Sequence, residues 1–360
     1  MSDIHQLIRP ELLAIKPFDA KRPGFDNGVL LDANESPWMH CYQEVALNRY
    51  IDEMFDPAIL DPLATFYRTK PSQILLTRGS CEGIDLLVRA FCRPYQDAIV
   101  VSPPTFSIFA QCAMMQGASV IHAPLLQEQN FRLDPQLLLN SVTDHTKLVF
   151  LCTPNNPTGQ LIPLEEILYI TQQLQGKAMV VVDEAYMEFS AGKTAASFVE
   201  QYSNLVVLRT FSKAFGLASL RCGVVIAQPP LIAVLSAMML PFPISLMTTQ
   251  ALKQAISDDN LNTMKQRISS IQQLRERFKM QLKQLPIVKK VWDSEGNFLF
   301  MQLKQSKAVL NACQEKPILV RHFVGVKGYE DCLRVSVGFA EQNEAFLQML
   351  AEVNVTEDII

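Results

Sequence analysis

The sequence predicts an α/β protein: a large domain with a mainly parallel central sheet, joined to a smaller α+β domain. Three observations lead there. Short Val- and Ile-rich runs recur through the middle of the chain without polar alternation, as strands covered on both faces require. Stretches of helical period separate several of them, which is the rhythm of parallel strands joined by crossover helices. Further on, the pattern changes to one long charged helix, two strands and a last helix.

Taken in order, "TRGSCEGIDLLVRAFC" reads as a strand end, a turn at Gly79 and Ser80, and a helix. "DAIVVSPPTF", "KLVFLCTPNNPTG", "AMVVVDEAYMEF", "NLVVLRTFSKAF" and "CGVVIAQ" read as buried strands, with "LEEILYITQQLQ" as a helix between the second and third. From Cys222 to Leu252 there is no charged residue, but Pro229, Pro230, Pro241 and Pro243 break the run. Its longest proline-free apolar piece falls well short of the roughly 20 residues a membrane span needs. The expectation here is a buried strand, a turn, a short helix and a proline-rich crossing. Residues 260–285 form one amphipathic helix, "GNFLFMQL" and "CLRVSVG" two strands, and "AEQNEAFLQMLAEV" the final helix. The large domain is expected over 34–245, with 1–33 as an N-terminal arm and 246–360 as the small domain.

The 360 residues carry 32 Lys and Arg against 36 Asp and Glu, a formal net charge of −4 with no basic block, which argues against a nucleic-acid partner. Cysteines stand at 41, 81, 92, 112, 152, 222, 313 and 332, without a C-x-x-C pair. That scatter argues against zinc and a disulfide framework and for a reducing, cytoplasmic location. The first residues lack the apolar core of a signal peptide, so the Asn34 and Asn354 sequons read as chance.

Ligands collect at the carboxyl ends of strands in open α/β sheets. There "VVVDEAY" delivers Asp183, "FLCTPNNPTG" delivers Asn155 and Asn156, and "VVLRTFSK" delivers Thr210, Ser212 and Lys213. Each alone has an ordinary explanation as a cap, a loop or an exposed cation. Together they supply what pyridoxal phosphate (PLP) needs: a lysine to condense with its aldehyde and a carboxylate for its ring nitrogen. Tyr186 or Asn156 can donate to the phenolic oxygen. Ser212, Thr210, Arg221 and the helix opened by Gly79 and Ser80 suit a phosphate. Loss of water and the nearby Arg221 would both lower the pKa of Lys213 toward nucleophilic use.

"TFSKAFGLAS", "NNPTG", "DEAYMEF" and "LRCG", in the superfamily's order, resemble the class-II PLP-dependent aminotransferases of fold type I. With "NRY", "RGSCEGIDLLVRAFC", "PPTFSIF", "DSEGNFLF" and "CLRVSVG" added, the chain is similar to the histidinol-phosphate aminotransferase family over roughly residues 10 to 345. The resemblance implies that Lys213 holds the cofactor and moves the substrate proton. It implies that Asp183 pairs with the pyridinium and that Asn156 and Tyr186 bond the phenolic oxygen. It further implies that Phe109 stacks on the ring, and that Ser80, Cys81, Thr210, Ser212 and Arg221 hold the phosphate. Tyr50 would reach the phosphate of a neighbouring subunit, implying a homodimer with shared sites. Arg334 and Arg321 would bind the anionic end of the substrate, while Asn34 and Phe18 would line its approach. The chain departs from the pattern at Cys81, where Asp is usual, at Phe18, where a tyrosine is common, and at Ser219, a frequent glycine.

The activity expected is transamination between L-histidinol phosphate and 2-oxoglutarate, with no metal, nucleic acid or membrane involved. An aromatic or broad-range aminotransferase and a threonine-phosphate decarboxylase of the same fold are the alternatives. A non-catalytic PLP-binding regulator is disfavoured because no basic helix pair precedes "LDANESP", and no nucleotide-binding glycine motif occurs.

Overall fold

Apolar runs covered on both faces can only be satisfied inside a layered sheet, and that is where they lie. The computed structural model describes residues 7–12, 41–42, 45–46, 50, 55–316, 318–323 and 328–353. Among the described residues, a 3-10 turn at Pro10–Leu12 precedes a short antiparallel pair, β1 (Cys41–Tyr42) and β2 (Val45–Ala46). It is followed by α1 (Pro57–Tyr67), β3 (Ile74–Thr77), α2 (Ser80–Phe91), β4 (Ala98–Val101), α3 (Ile108–Gln116) and β5 (Ser119–His122). Next come α4 (Pro135–Asn140), β6 (Thr146–Cys152), α5 (Leu164–Gln173), β7 (Met179–Asp183), β8 (Leu205–Thr210) and β9 (Gly223–Ile226). Helices α6 (Pro229–Met238), α7 (Leu246–Ala255) and α8 (Asp258–Leu282) lead to β10 (Val288–Val291), β11 (Phe298–Leu303) and α9 (Ser306–Glu315). Strands β12 (Arg321–His322) and β13 (Cys332–Ser336) and helix α10 (Ala340–Glu352) complete the order.

Among the described residues, the large sheet has seven strands in the order β3-β9-β8-β7-β6-β4-β5. Strand β9 runs antiparallel to both neighbours, and the remaining pairings are parallel. Side chains alternate between its faces. Val149, Leu151, Val180, Val182, Leu205 and Val207 pack with α1, α4, α5 and α7 on one side. Leu148, Phe150, Met179, Val181, Val206 and Leu208 pack with α2, α3 and α6 on the other. Each such side chain contributes roughly 1.5–3 kcal/mol by leaving water.

A second, antiparallel sheet, β10-β11-β13-β12, carries α8, α9 and α10. The two sheets meet through Phe131, which packs 5.0 Å from Trp292 and 5.7 Å from Phe300 between ring centroids. The uncharged stretch after Cys222 holds two helices rather than one short helix and a crossing. Pro229 and Pro230 open α6, where a missing N–H costs nothing. Ser245 caps α7, its Oγ accepting from the Thr248 amide at 3.1 Å. Among the described residues no helix is long and apolar enough to cross a membrane.

Candidate active site

The carboxyl ends of β6, β7 and β8 open into a cavity of 260 Å³, closed on one side by the start of α2 and on another by β13. Three features of the chain build its anionic end. Ser80 and Cys81 begin α2, and Gly79 before them has φ +79°. A β-carbon on Gly79 would stand 2.6 Å from Arg221 Nη2, and one on Gly223 would stand 2.7 Å from the Ser80 amide nitrogen. These two glycines therefore let β9 and the Arg221 guanidinium close on the helix N-terminus. Arg221 Nη1 donates to the Ala218 carbonyl at 3.0 Å and to Ser212 Oγ at 3.4 Å, and Thr210 Oγ1 donates to Ser212 Oγ at 3.1 Å. A guanidinium, two hydroxyls and a helix N-terminus converge as an anion cradle.

Asp183 ends β7 and lies between Cys152 and Leu208 of the flanking strands. It is 2 % exposed, and burial pushes its carboxyl up to about 7, against the Ala185 amide that donates to Oδ1 at 3.1 Å. Lys213, past the end of β8, faces the cavity with Nζ 5.6 Å from the centre of the Tyr186 ring. Although the side chain is open to the cavity, partial loss of water around it lowers its pKa first, then the Arg334 cation, with Arg221 adding less; Cys81 and Asp183 act the other way. Arg334 is thus the larger of the two cationic influences on the lysine, although it comes from the second sheet.

Tyr186 is buried edge-on to Phe298 at 5.0 Å, and burial raises its pKa. Asn155 is structural: its amide donates to the Pro104 carbonyl and to Thr158 Oγ1, both at 2.9 Å. Asn156 instead lines the cavity and accepts a hydrogen bond from Arg334 Nη1. The Arg334 guanidinium lies 5.2 Å above the Phe298 ring, and burial, with Arg321 adding, holds its pKa below the usual arginine value. One wall thus presents an amine, one a carboxylate, one an anion cradle and one a guanidinium. This set can hold a phosphorylated aromatic aldehyde and an anionic substrate together.

A family model for class I and II aminotransferases matches residues 31–352. The chain belongs to that family. A histidinol-phosphate aminotransferase of Xanthomonas axonopodis pv. citri is 39% identical over 352 residues, covering 97% of each chain. The structure is similar to the histidinol-phosphate aminotransferase of Clostridium acetobutylicum, at TM-score 0.77 and 23% identity over 85% of this chain and 91% of that one. It is also similar to the Sinorhizobium meliloti enzyme solved with pyridoxal-5'-phosphate, at TM-score 0.74 and 24% identity over 85% and 82%.

In this aminotransferase Ser80, Cys81, Asn156, Asp183, Tyr186, Thr210, Ser212, Lys213, Arg221 and Arg334 all line the one cavity. Phe109 does not, which corrects the ring-stacking expectation. Helix α3 begins at Ile108, so Phe109 turns inward, fully buried and stacked on Phe150 at 4.6 Å. Phe106, in the loop before the helix, lines the cavity and packs edge-on to Phe109 at 5.6 Å. Arg321 is exposed on β12, in register with Arg334, and is not part of the cavity wall. Tyr50 is 54% exposed and stacks on Phe242 at 4.4 Å. Asn34 and Phe18 lie outside the described residues. Sequence reasoning also missed Cys152 and Ala185 in the wall. Cys152 was legible as the residue before "TPNNP", at the same strand end that delivers Asn156.

Proposed function

We propose that the protein transaminates L-histidinol phosphate with 2-oxoglutarate, giving imidazole-acetol phosphate and L-glutamate, with PLP as cofactor. The observation that carries this reading is the placement of Lys213 and Asp183 in one cavity with the Arg221 cradle and with Arg334. The near full-length relative of Xanthomonas supports the choice of substrate. The residues fit the cofactor, because Gly79 and Gly223 leave room for Arg221 at the helix N-terminus where a phosphate dianion belongs.

When bound, PLP supplies an electron sink for a negative charge at the substrate Cα. The chain supplies the rest. Ser80, Cys81, Thr210, Ser212 and Arg221 hold the phosphate, and Phe106 packs against the ring in place of Phe109. Asp183 pairs with the ring nitrogen, an ion pair that offsets the cost of burying its charge. Tyr186 and Asn156 bond the phenolic oxygen. Lys213 would hold the cofactor's aldehyde carbon before substrate arrives and, once the substrate's amine takes its place, would be the freed base that moves the proton at Cα; its lowered pKa favours the free amine. Arg334 binds a carboxylate or a phosphate through the same planar fork, which lets one site take two substrates in turn. Arg321 beside it adds positive charge, and Asn34 and Phe18 belong to the substrate approach. The active form is a cytoplasmic homodimer in which Tyr50 reaches the partner's phosphate cradle. The proposed division is 34–245 against 1–33 with 246–360, although α7, just past that boundary, packs on the large sheet.

A substrate panel tests the reading. Histidinol phosphate, phenylalanine and threonine phosphate are each offered with 2-oxoglutarate, and glutamate and carbon dioxide are measured. Histidinol phosphate should give the most glutamate. Glutamate from phenylalanine alone would establish an aromatic aminotransferase, and carbon dioxide from threonine phosphate a decarboxylase.

A further inference from the structure

Glu184, Glu188 and Arg209 are not in the cavity wall, yet all three are buried behind it. Alternation along the strands explains why. Asp183 and Thr210 point to the sheet face that carries Cys152, so their chain neighbours Glu184 and Arg209 point to the opposite one. There Arg209 Nη1 donates to Glu184 Oε2 at 2.6 Å and Nη2 to Glu188 Oε1 at 2.7 Å, with the guanidinium carbon 5.0 Å over the Tyr67 ring. Glu184 also accepts from Thr194 Oγ1 at 2.5 Å and from the Ala195 amide at 2.7 Å. One guanidinium thus grips both ends of the turn that carries Ala185 and Tyr186 into the cavity. Stability alone is a weak reason for such a cluster, because apolar residues of similar volume often replace buried ion pairs without loss.

We propose that Arg209 is a positioning residue for Asp183: held by Glu184 and Glu188, it fixes the turn from Asp183 to Tyr186 and sets a buried cation behind the carboxylate. The proposal rests on the assignment of Asp183 to the ring nitrogen made above. The other groups acting on Asp183 are Lys213 from the loop after β8, Cys81 from α2, Cys152 from β6 and Tyr186 from its own turn. Glu184 pushes the Asp183 carboxyl further up and Arg209 pulls it down, so the two members of the clamp act with opposite sign.

The test is the affinity of the apoprotein for PLP as a function of pH, with thermal unfolding of each variant as the control for folding. The ligand's own titration is common to every arm. In the wild type, affinity should rise as Asp183 ionises, with a midpoint near its pKa of about 7. Arg209→Met should move that midpoint up and Glu184→Gln should move it down, each by about 1 pH unit, a modest effect for one nearby charge. Arg209→Lys, which keeps the charge, should restore the wild-type midpoint. If Arg209→Met does not fold, the downward shift in Glu184→Gln decides. Variants that lose stability but share the wild-type midpoint would overturn the proposal and leave the clamp a structural device. Asp183→Asn separates the two ideas: a midpoint shift between Arg209→Met and its parent that persists in the Asp183→Asn background overturns the assignment of Asp183 itself.

Discussion

Arg334 donates a hydrogen bond to Asn156, a residue 178 positions earlier in the chain. It joins β13 of the small sheet to the loop after β6 of the large one. The guanidinium assigned to the substrate and the amide assigned to the cofactor's phenolic oxygen are therefore one unit. Arg334→Lys keeps a charge but loses the planar fork that can hold Asn156 and an anion together. The expected result is a rise of about 10- to 100-fold in KM for both amino substrates, equal to a charged hydrogen bond of about 1.5–3 kcal/mol, with a smaller change in kcat. Steady-state kinetics on glutamate and histidinol phosphate check it. An effect confined to one substrate would separate the two binding roles.

Lys213 is the residue assigned to bond the cofactor's aldehyde carbon. Borohydride reduction of the holoenzyme should attach the cofactor to the peptide containing Lys213, as seen by mass spectrometry. Lys213→Ala should show no such adduct and should lose at least about 10³-fold in kcat. An adduct on another lysine would end the assignment.

The buried carboxyl of Asp183 makes apoprotein stability depend on pH. Its pKa rises from 3.8 to about 7 on folding, so the contribution is fully present below pH 3.8 and is lost as pH rises through 7. That loss is roughly 4 kcal/mol at most. The difference in unfolding free energy between wild-type and Asp183→Asn apoprotein, measured on both sides of this window, should move against the wild type as pH rises. A constant difference would contradict it.

Phe106 and Phe109 should separate cofactor binding from folding. Phe109→Ala removes a fully buried ring stacked on Phe150 and should cost about 3–5 kcal/mol of stability. Phe106→Ala should cost less stability but weaken PLP binding by a factor of about 3–10, the scale of one aromatic contact. Denaturant unfolding and PLP titration on both variants give the comparison.

Tyr50, exposed and stacked on Phe242, is assigned to the neighbouring subunit's site. Lys213→Ala and Tyr50→Ala proteins should each be weak alone. Mixed and allowed to exchange subunits, they should regain about a quarter of wild-type activity, since half of the dimers are hybrids with one intact site each. Activity no greater than the sum of the two would place Tyr50 in its own subunit's site.

Much of the site was legible because its chemistry is written in local strings. A strand that ends in Asp, a lysine among small residues and a glycine before a helix carry their own physical signals, and Asp183, Lys213 and Gly79 stand where those signals put them. The error at Phe109 came from a residue one helical turn too far along "PPTFSIF". Both rings are apolar, and only the start of α3 at Ile108 decides which of them faces inward. The second helix in the uncharged stretch was obscured by Pro241 and Pro243, which lie between the helices and interrupt neither.

By itself the sequence determined the α/β class, the parallel strands of the large sheet and the residue types at their carboxyl ends, because periodicity and turn chemistry act over a few residues. Only the tertiary structure decided that Arg334 meets Asn156, that Arg334 outweighs Arg221 in lowering the pKa of Lys213, and that Arg209 lies behind Asp183. Those facts depend on which strands become neighbours and which face each side chain takes. Burial of the whole apolar surface sets that arrangement, and no local string encodes it.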